Sequence, residues 1–246
     1  MVKVVCVNAG NYLEHGAEYV NKLYAMVKKN TTIPHEFVCL TDDVEGLNED
    51  IKTILLPEWI KGWYAKLYLF KHGLFTEEKL AFFDMDSLAG KVNEADRIVF
   101  FDLDTLIIDN IDELLEYKGE FAALDDFYVP GRFATGVMLF EAGKHSEIWD
   151  EWYSTKKTDY ALGDMEFINN LNQGRYTNRL PRLQKLFKGK FCSYKEHCRP
   201  YPPDGTSVVC FHGLPRPHEV NGWANNVWHG GSYAKERGNW FKIEAI

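Results

Sequence analysis

The chain of 246 residues carries a formal net charge of −8, with 46% apolar and 15% aromatic residues. That composition excludes a disordered chain, and the acidic balance excludes a surface given over to nucleic acid or anionic membrane. No apolar run approaches the roughly 18 residues of a membrane span, and "MVKVVCVNAG" meets Asn8 too soon for a secretory leader. The expectation is a soluble, cytoplasmic protein without a transmembrane segment. Its five cysteines, odd in number and partly set in apolar runs, are expected as buried, reduced thiols.

In chain order, "VKVVCV" is a short β-branched run that predicts a strand. In "EHGAEYVNKLYAMVKKN" Tyr19, Leu23 and Val27 recur at helical spacing. "EFVCL" and "IKTILL" predict two more strands, and "WYAKLYLFKHGL" returns to a helical pattern. Two apolar runs ending in acids follow: "LAFFDMDSLAG" with Asp84 and Asp86, then "RIVFFDLDTLIID" with Asp102 and Asp104. A helix over "NIDELLEYK", with Asn110 as its N-cap, precedes the strand "EFAALDD". "FATGVMLFEAG" reads as a strand and "HSEIWDEWYS" as a helix. Proline and glycine gather in "RPYPPDGT" and "HGLPRPHEVNG". Alternating strands and helices predict one α/β domain over residues 1–246, with helices on both faces of the sheet and a loop-rich C-terminal third.

In an open α/β sheet the ligand site lies beyond the carboxyl ends of the strands. A strand ending in D-x-D sets two carboxylates at that rim, where they repel unless something positive binds. A hard divalent cation with oxygen ligands is the natural neutraliser, and phosphate oxygens complete its shell. Two enzyme classes use such a strand end. "FDLDTLI" matches a haloacid-dehalogenase-type phosphatase poorly, because the motif lies about 100 residues into the chain and its threonine is one position early.

From "CVNAG" to "HGLPRPHE" the chain resembles the family 8 glycosyltransferases, the group of glycogenin and the lipopolysaccharide galactosyl- and glucosyltransferases. The resemblance implies a GT-A fold with a mixed, mostly parallel sheet. It implies that Asp102, Asp104 and His212 hold Mn2+ (or Mg2+), and that Lys66, Gly213 and Arg216 meet the donor diphosphate. Val7, Asn8, Tyr12, Thr41 and Leu103 would receive the nucleotide, with Asp42 beside Thr41. Arg216 stands where the family has lysine, Ala134 where it has a donor-contacting asparagine, and Met165 where it has a glutamine near the anomeric carbon. Asp125 and Asp164 are the candidate catalytic acids, and Asp126 adjoins the first. Each assignment has an ordinary counterpart: a solvent-facing lysine for Lys66, a hydrogen-bonded histidine for His212, strand-end acids for Asp125 and Asp126, and a helix cap for Asp164. Trp223, Trp228 and His229 are expected to pack.

The implied activity is metal-dependent transfer of a hexose from a nucleotide diphosphate sugar, a UDP-sugar, to an unspecified hydroxyl acceptor, with retention of anomeric configuration. A phosphatase and a non-catalytic nucleotide-sugar-binding protein are the alternatives. Between Arg175 and Arg199, eight basic residues face a single acid, Glu196. As a groove rather than a solvated face, that stretch implies an anionic acceptor. "FFDLDTL" is expected to be the metal-binding copy, because it alone leads through a further apolar segment into a capped helix.

Overall fold

The computed structural model describes residues 1–10, 12–75 and 96–233. The earlier D-x-D segment, with Asp84 and Asp86, lies outside them. Among the described residues nine strands form two sheets. In the main sheet β1 (Val2–Asn8), β2 (Glu36–Thr41), β3 (Lys52–Leu55), β4 (Arg97–Phe101), β6 (Ala122–Asp125) and β7 (Phe133–Glu141) take the order β3-β2-β1-β4-β7-β6. The pairs among β3, β2, β1 and β4 are parallel, and β7 runs antiparallel to both its neighbours. The second sheet joins β5 (Thr105–Ile107), β9 (Val208–Cys210) and β8 (Phe191–Ser193) in the order β5-β9-β8.

Because side chains alternate along a strand, the main sheet sends Val4 and Cys6, Phe37 and Cys39, and Val99 and Phe101 into one core. Val5, Val38, Leu40, Ile98 and Phe100 enter the other. The first core is closed by α1 (Gly16–Asn30), whose buried Tyr19, Val20, Leu23, Met26 and Val27 fall on one helical face, and by the second sheet. The second core is closed by a 3-10 run, Gly62–Phe70, and by two helices introduced below. All five cysteines are buried free thiols. No helix among the described residues is long and apolar enough to cross a membrane.

Two local expectations differ. The segment "WYAKLYLF" is helical but winds as a 3-10 helix. The helix expected over "NIDELLEYK" is one turn, α2 (Asp112–Leu115), with Ile111 at the cap position. Asn110 lies one residue earlier and its side chain accepts from the Asp112 amide at 3.0 Å, an Asx-turn rather than an N-cap. Asp112 in turn accepts bonds from Thr31 and Thr32, at the end of α1, so its side chain is committed to a loop contact. The remaining long helices are α3 (Ser146–Thr155) and α4 (Gly163–Asn170).

Candidate active site

The topology brings five segments to one rim. The carboxyl ends of β1, β2, β4 and β6 lie there with the amino end of β7, since β7 alone runs the other way. β4 stops at Phe101, and the Asp102 amide donates to the Gly136 carbonyl of β7 at 2.8 Å. After Asp104 the chain passes into the second sheet through β5. The apolar residues on either side of the D-x-D thus belong to different sheets, and the two acids occupy the crossing.

A cleft of about 550 Å3 opens at this crossing. Val7, Tyr12, Lys66, Asp102, Leu103, Asp104, His212, Gly213 and Arg216 all line it, although they come from segments spread over 200 residues of sequence. Lys66 Nζ lies 2.8 Å from Asp102 Oδ1 and 3.6 Å from Asp164 Oδ2. Arg216 Nη1 makes a short contact with Asp104 Oδ2, and the Tyr12 hydroxyl donates to the same oxygen at 3.5 Å. The guanidinium also lies over the Tyr12 ring, 5.3 Å from its centre. Gly213 has φ +84°, a conformation only glycine adopts without strain, so its backbone faces the cleft bare.

A second cleft, of about 410 Å3, adjoins the first and shares Trp63, Lys66, Asp102, Gly136 and His212 with it. Asp164 lines this cleft, in the first turn of α4, and accepts from the Thr135 hydroxyl at 2.7 Å. It is therefore no helix cap. Thr135 owes its position to a register shift: β6 pairs Ala123 with Met138 but Leu124 with Ala134, so Thr135–Val137 have no partner on β6. Ala134 and Met165 line the same cleft.

The electrostatics follow from crowding. Three carboxylates (Asp102, Asp104, Asp164) share two cations (Lys66, Arg216). Burial, with the help of Asp104 and Asp164, pushes the Asp102 carboxyl up to about 7 against the pull of Lys66. Burial alone would lower the Lys66 amine, but Asp102 and Asp164 hold it above its ordinary value, so it stays charged. Burial lowers His212 despite Asp104 and Asp126, which favours neutral imidazole.

The donor set suits a divalent cation. Two acidic side chains line the same cleft as an imidazole whose buried Nε2 has no hydrogen-bond partner. Asp102, Asp104 and His212 are not drawn together as a metal-binding group among the described residues, and the two acids are paired with Lys66 and Arg216.

Four assigned residues stand elsewhere. Asn8 and Thr41 are buried behind the rim, where the Asn8 amide donates to Thr41 Oγ1 at 3.4 Å and Asn8 Oδ1 accepts from the Tyr12 amide at 3.2 Å. They shape the turn that carries Tyr12 and do not line the cleft. Asp125 accepts from the Gly131 amide at 2.8 Å and lies near the buried Arg182, so it braces a loop and lines neither cleft. Asp42 accepts from the Gly10 amide and pairs with Lys61. Asp126 does line the second cleft, but with both oxygens engaged: it receives the Tyr128 and Val129 amides and the Arg132 guanidinium.

The basic stretch forms no groove at either cleft. Arg182 is buried against backbone carbonyls, Lys190 pairs with Glu113, and Lys195 donates to the His212 carbonyl at 2.6 Å. Trp223 and Trp228 pack in the core as expected, whereas His229 is exposed.

Sequence reasoning missed Thr135, Trp63 and Lys195. Thr135 looks like any strand residue. Lys195 reads as one basic residue among eight. Trp63 had a signal in its spacing, since three residues per turn put it on the same face as Lys66.

No protein-family model matches the chain. It is 26% identical to glycogenin-1 of Caenorhabditis elegans over 144 residues, 57% of the chain, and 26% identical to glycogenin-2 of Homo sapiens over 142 residues, 55% of the chain. The aligned region spans only 31% and 28% of those relatives' lengths. Among solved structures, the galactosyltransferase LgtC, in complex with donor and acceptor sugar analogues, superposes with a TM-score of 0.59 at 16% identity, covering 96% of this chain and 98% of LgtC. The glycosyltransferase GlyE of Streptococcus pneumoniae TIGR4 superposes with a TM-score of 0.60 at 14% identity, covering 92% of this chain and 59% of GlyE. The fold is that of the GT-A glycosyltransferases, and in sequence the chain resembles the glycogenin type of family 8.

Proposed function

We propose that the chain, as a single catalytic unit, transfers a hexose from a UDP-sugar to a hydroxyl acceptor, with Mn2+ or Mg2+ held by Asp102, Asp104 and His212. The observation that carries this reading is the convergence of both D-x-D carboxylates, Lys66, Arg216 and the orphan Nε2 of His212 on one cleft at the strand ends. The likeness to glycogenin and LgtC supports it.

Breaking the bond between the anomeric carbon and the diphosphate builds negative charge on the leaving group. Lys66 and Arg216, both already in the cleft, supply fixed positive charge where that develops. The bare backbone at Gly213 lets the diphosphate approach closely. Thr135 holds the Asp164 carboxylate beside Lys66, on the side of the second cleft, where it orients the sugar or the incoming hydroxyl. A divalent ion bound by the three ligands would add Lewis-acid stabilisation of the diphosphate. Retention of configuration is the expected outcome; a product whose anomeric proton coupling is inverted by NMR would contradict it.

The test is a donor screen with manganese, following nucleotide release from each common nucleotide sugar. Release from a UDP-hexose, abolished by chelation, supports the proposal. Turnover of generic phosphate esters without any sugar donor would favour a phosphatase instead.

A further inference from the structure

All five cysteines are free thiols, yet two of them stand together: Cys192 Sγ, on β8, lies 3.4 Å from Cys198 Sγ. The sulfurs of a disulfide are about 2.05 Å apart, so these two need to close by little more than an ångström. Between them the chain makes a single helical turn, Tyr194–His197. Ser193 caps it: its hydroxyl accepts from the Glu196 amide at 3.4 Å, and its own amide donates to His197 Nδ1 at 3.1 Å. The turn brings Cys198 back to the end of β8, where its Sγ also lies 3.7 Å from the Ser193 carbonyl.

The pair is chemically uneven. The bond with Cys198 lowers the Cys192 thiol from its ordinary value, against the effect of burial, and the same bond raises Cys198 with the help of burial. Cys192 is therefore the sulfur with thiolate character, the nucleophile of thiol chemistry. A second pair, Cys6 and Cys39, is opposed in register on β1 and β2. Both are fully buried in the core under α1, and burial pushes Cys6 well above its ordinary value, which leaves it inert. Cys198 is 6% exposed and stands between exposed His197 and Arg199. Opening one helical turn uncovers the thiols, which suits an oxidant as small as a peroxide.

The same turn carries Lys195, whose Nζ donates to the His212 carbonyl at 2.6 Å. His212 has φ +50°, a left-handed backbone that is uncommon for a residue with a β-carbon. Lys195 thus braces an unfavourable conformation. A link between Cys192 and Cys198 closes the base of the turn and holds Lys195, at its middle, against His212.

We infer that Cys192 and Cys198 are an oxidisable dithiol whose disulfide clamps the turn that braces His212. The oxidant is a hydroperoxide. The Cys192 thiolate attacks one oxygen of hydrogen peroxide, the O–O bond breaks, hydroxide leaves and a sulfenic acid forms. The Cys198 sulfur then attacks the Cys192 sulfur, the S–O bond breaks, and the Cys198 proton leaves with that oxygen as water. In sum, two thiols and one peroxide give one disulfide and two waters. The bearing on His212 as a metal ligand rests on the transferase reading, whereas the link and the bracing do not.

The experiment treats the full chain with a few equivalents of hydrogen peroxide and counts free thiols after denaturation. The count is expected to fall from five to three, and to recover with dithiothreitol. Non-reducing digestion with trypsin and an Asp-specific protease, which cut after Lys195 and before Asp204, puts Cys192, Cys198 and Cys210 in separate peptides. The linked species should join the peptides of Cys192 and Cys198. Cys192→Ser, nearly unchanged in size, should lose no further thiol to peroxide. Hydrogen exchange should slow over residues 193–198 and 211–213 in the oxidised wild type. A count that stays at five would overturn the dithiol. So would a link between Cys6 and Cys39, an equal loss of thiols in Cys192→Ser, or a sulfinic acid on Cys192 without a link. A link that leaves exchange at 211–213 unchanged would overturn the clamp. Both effects in a chain whose reduced form releases nucleotide from no donor would uphold the dithiol and sink the transferase reading.

Discussion

At the residue scale, the strongest assignments are those where a charged atom has a cleft on one side and a fixed partner on the other. Lys66 is such a residue, and under the proposed transfer replacing it with alanine removes positive charge from the place where the leaving group would develop its own. The expected loss is on the order of 100-fold in turnover, measured as initial rate of nucleotide release; a loss below a few-fold would mean that Lys66 only neutralises Asp102. Arg216 makes a different kind of test. Its planar fork contacts Asp104 while its face covers Tyr12, and lysine reproduces the charge but neither geometry. Arg216→Lys should therefore keep part of the activity and Arg216→Ala little of it. Equal activity in both variants would show that the fork is immaterial. Asp102→Asn and Asp104→Asn, nearly unchanged in size, should each abolish metal-dependent turnover while leaving the circular dichroism spectrum intact.

The residues that were legible in sequence are those whose chemistry is unusual for their surroundings: two acids after "IVFF", a histidine and glycine after "SVVCF". Those that the clefts leave out sit at strand ends that look alike on paper. Asn8, Thr41 and Asp125 each end a strand at the correct rim, but whether a side chain turns toward the cleft or into the neighbouring loop is decided by local hydrogen bonds. Asn8 finds Thr41, and Asp125 finds the Gly131 amide. Those bonds join positions 33 and 6 residues apart, and no pattern of polarity announces them.

At the scale of elements, the strands were readable because both faces of the main sheet are buried, which leaves near-continuous apolar runs. What the runs could not convey is membership. "TLI" of β5 continues the apolar pattern of β4 yet belongs to another sheet, because its partner β9 comes about 100 residues later. The burial of β4 gives a direct stability test. Phe100 is fully buried between the sheet and the helical layer, and Phe100→Ala should cost about 3–5 kcal/mol, read from chemical denaturation; a cost under about 1 kcal/mol would contradict the packing described. Asp112 gives a pH test. Bonds from Asn110, and from Thr31 and Thr32, hold its carboxyl well below the usual carboxylate range. A carboxyl depressed in the folded state contributes its stability above the unfolded value near 3.9 and loses it as the pH falls toward the folded value. The melting temperature should then drop more steeply between about pH 4 and pH 2 in the wild type than in Asp112→Asn. Parallel curves would mean that these bonds do not distinguish the two states.

At the scale of the whole molecule, the parallel arrangement of β1, β2 and β4 with a reversed β7 is what gathers distant segments at one rim, and the C-terminal loops complete it by delivering His212, Gly213 and Arg216. The central claim is that this gathering makes a site for a nucleotide diphosphate bound through a divalent ion. Isothermal titration of the purified chain with UDP, with manganese and again after chelation, tests it most directly. The expected result is binding with manganese and loss of most of the affinity without it, because the diphosphate would then face carboxylates in excess of cations. Tight binding of UDP that is indifferent to chelation, or no binding in either condition, would contradict it.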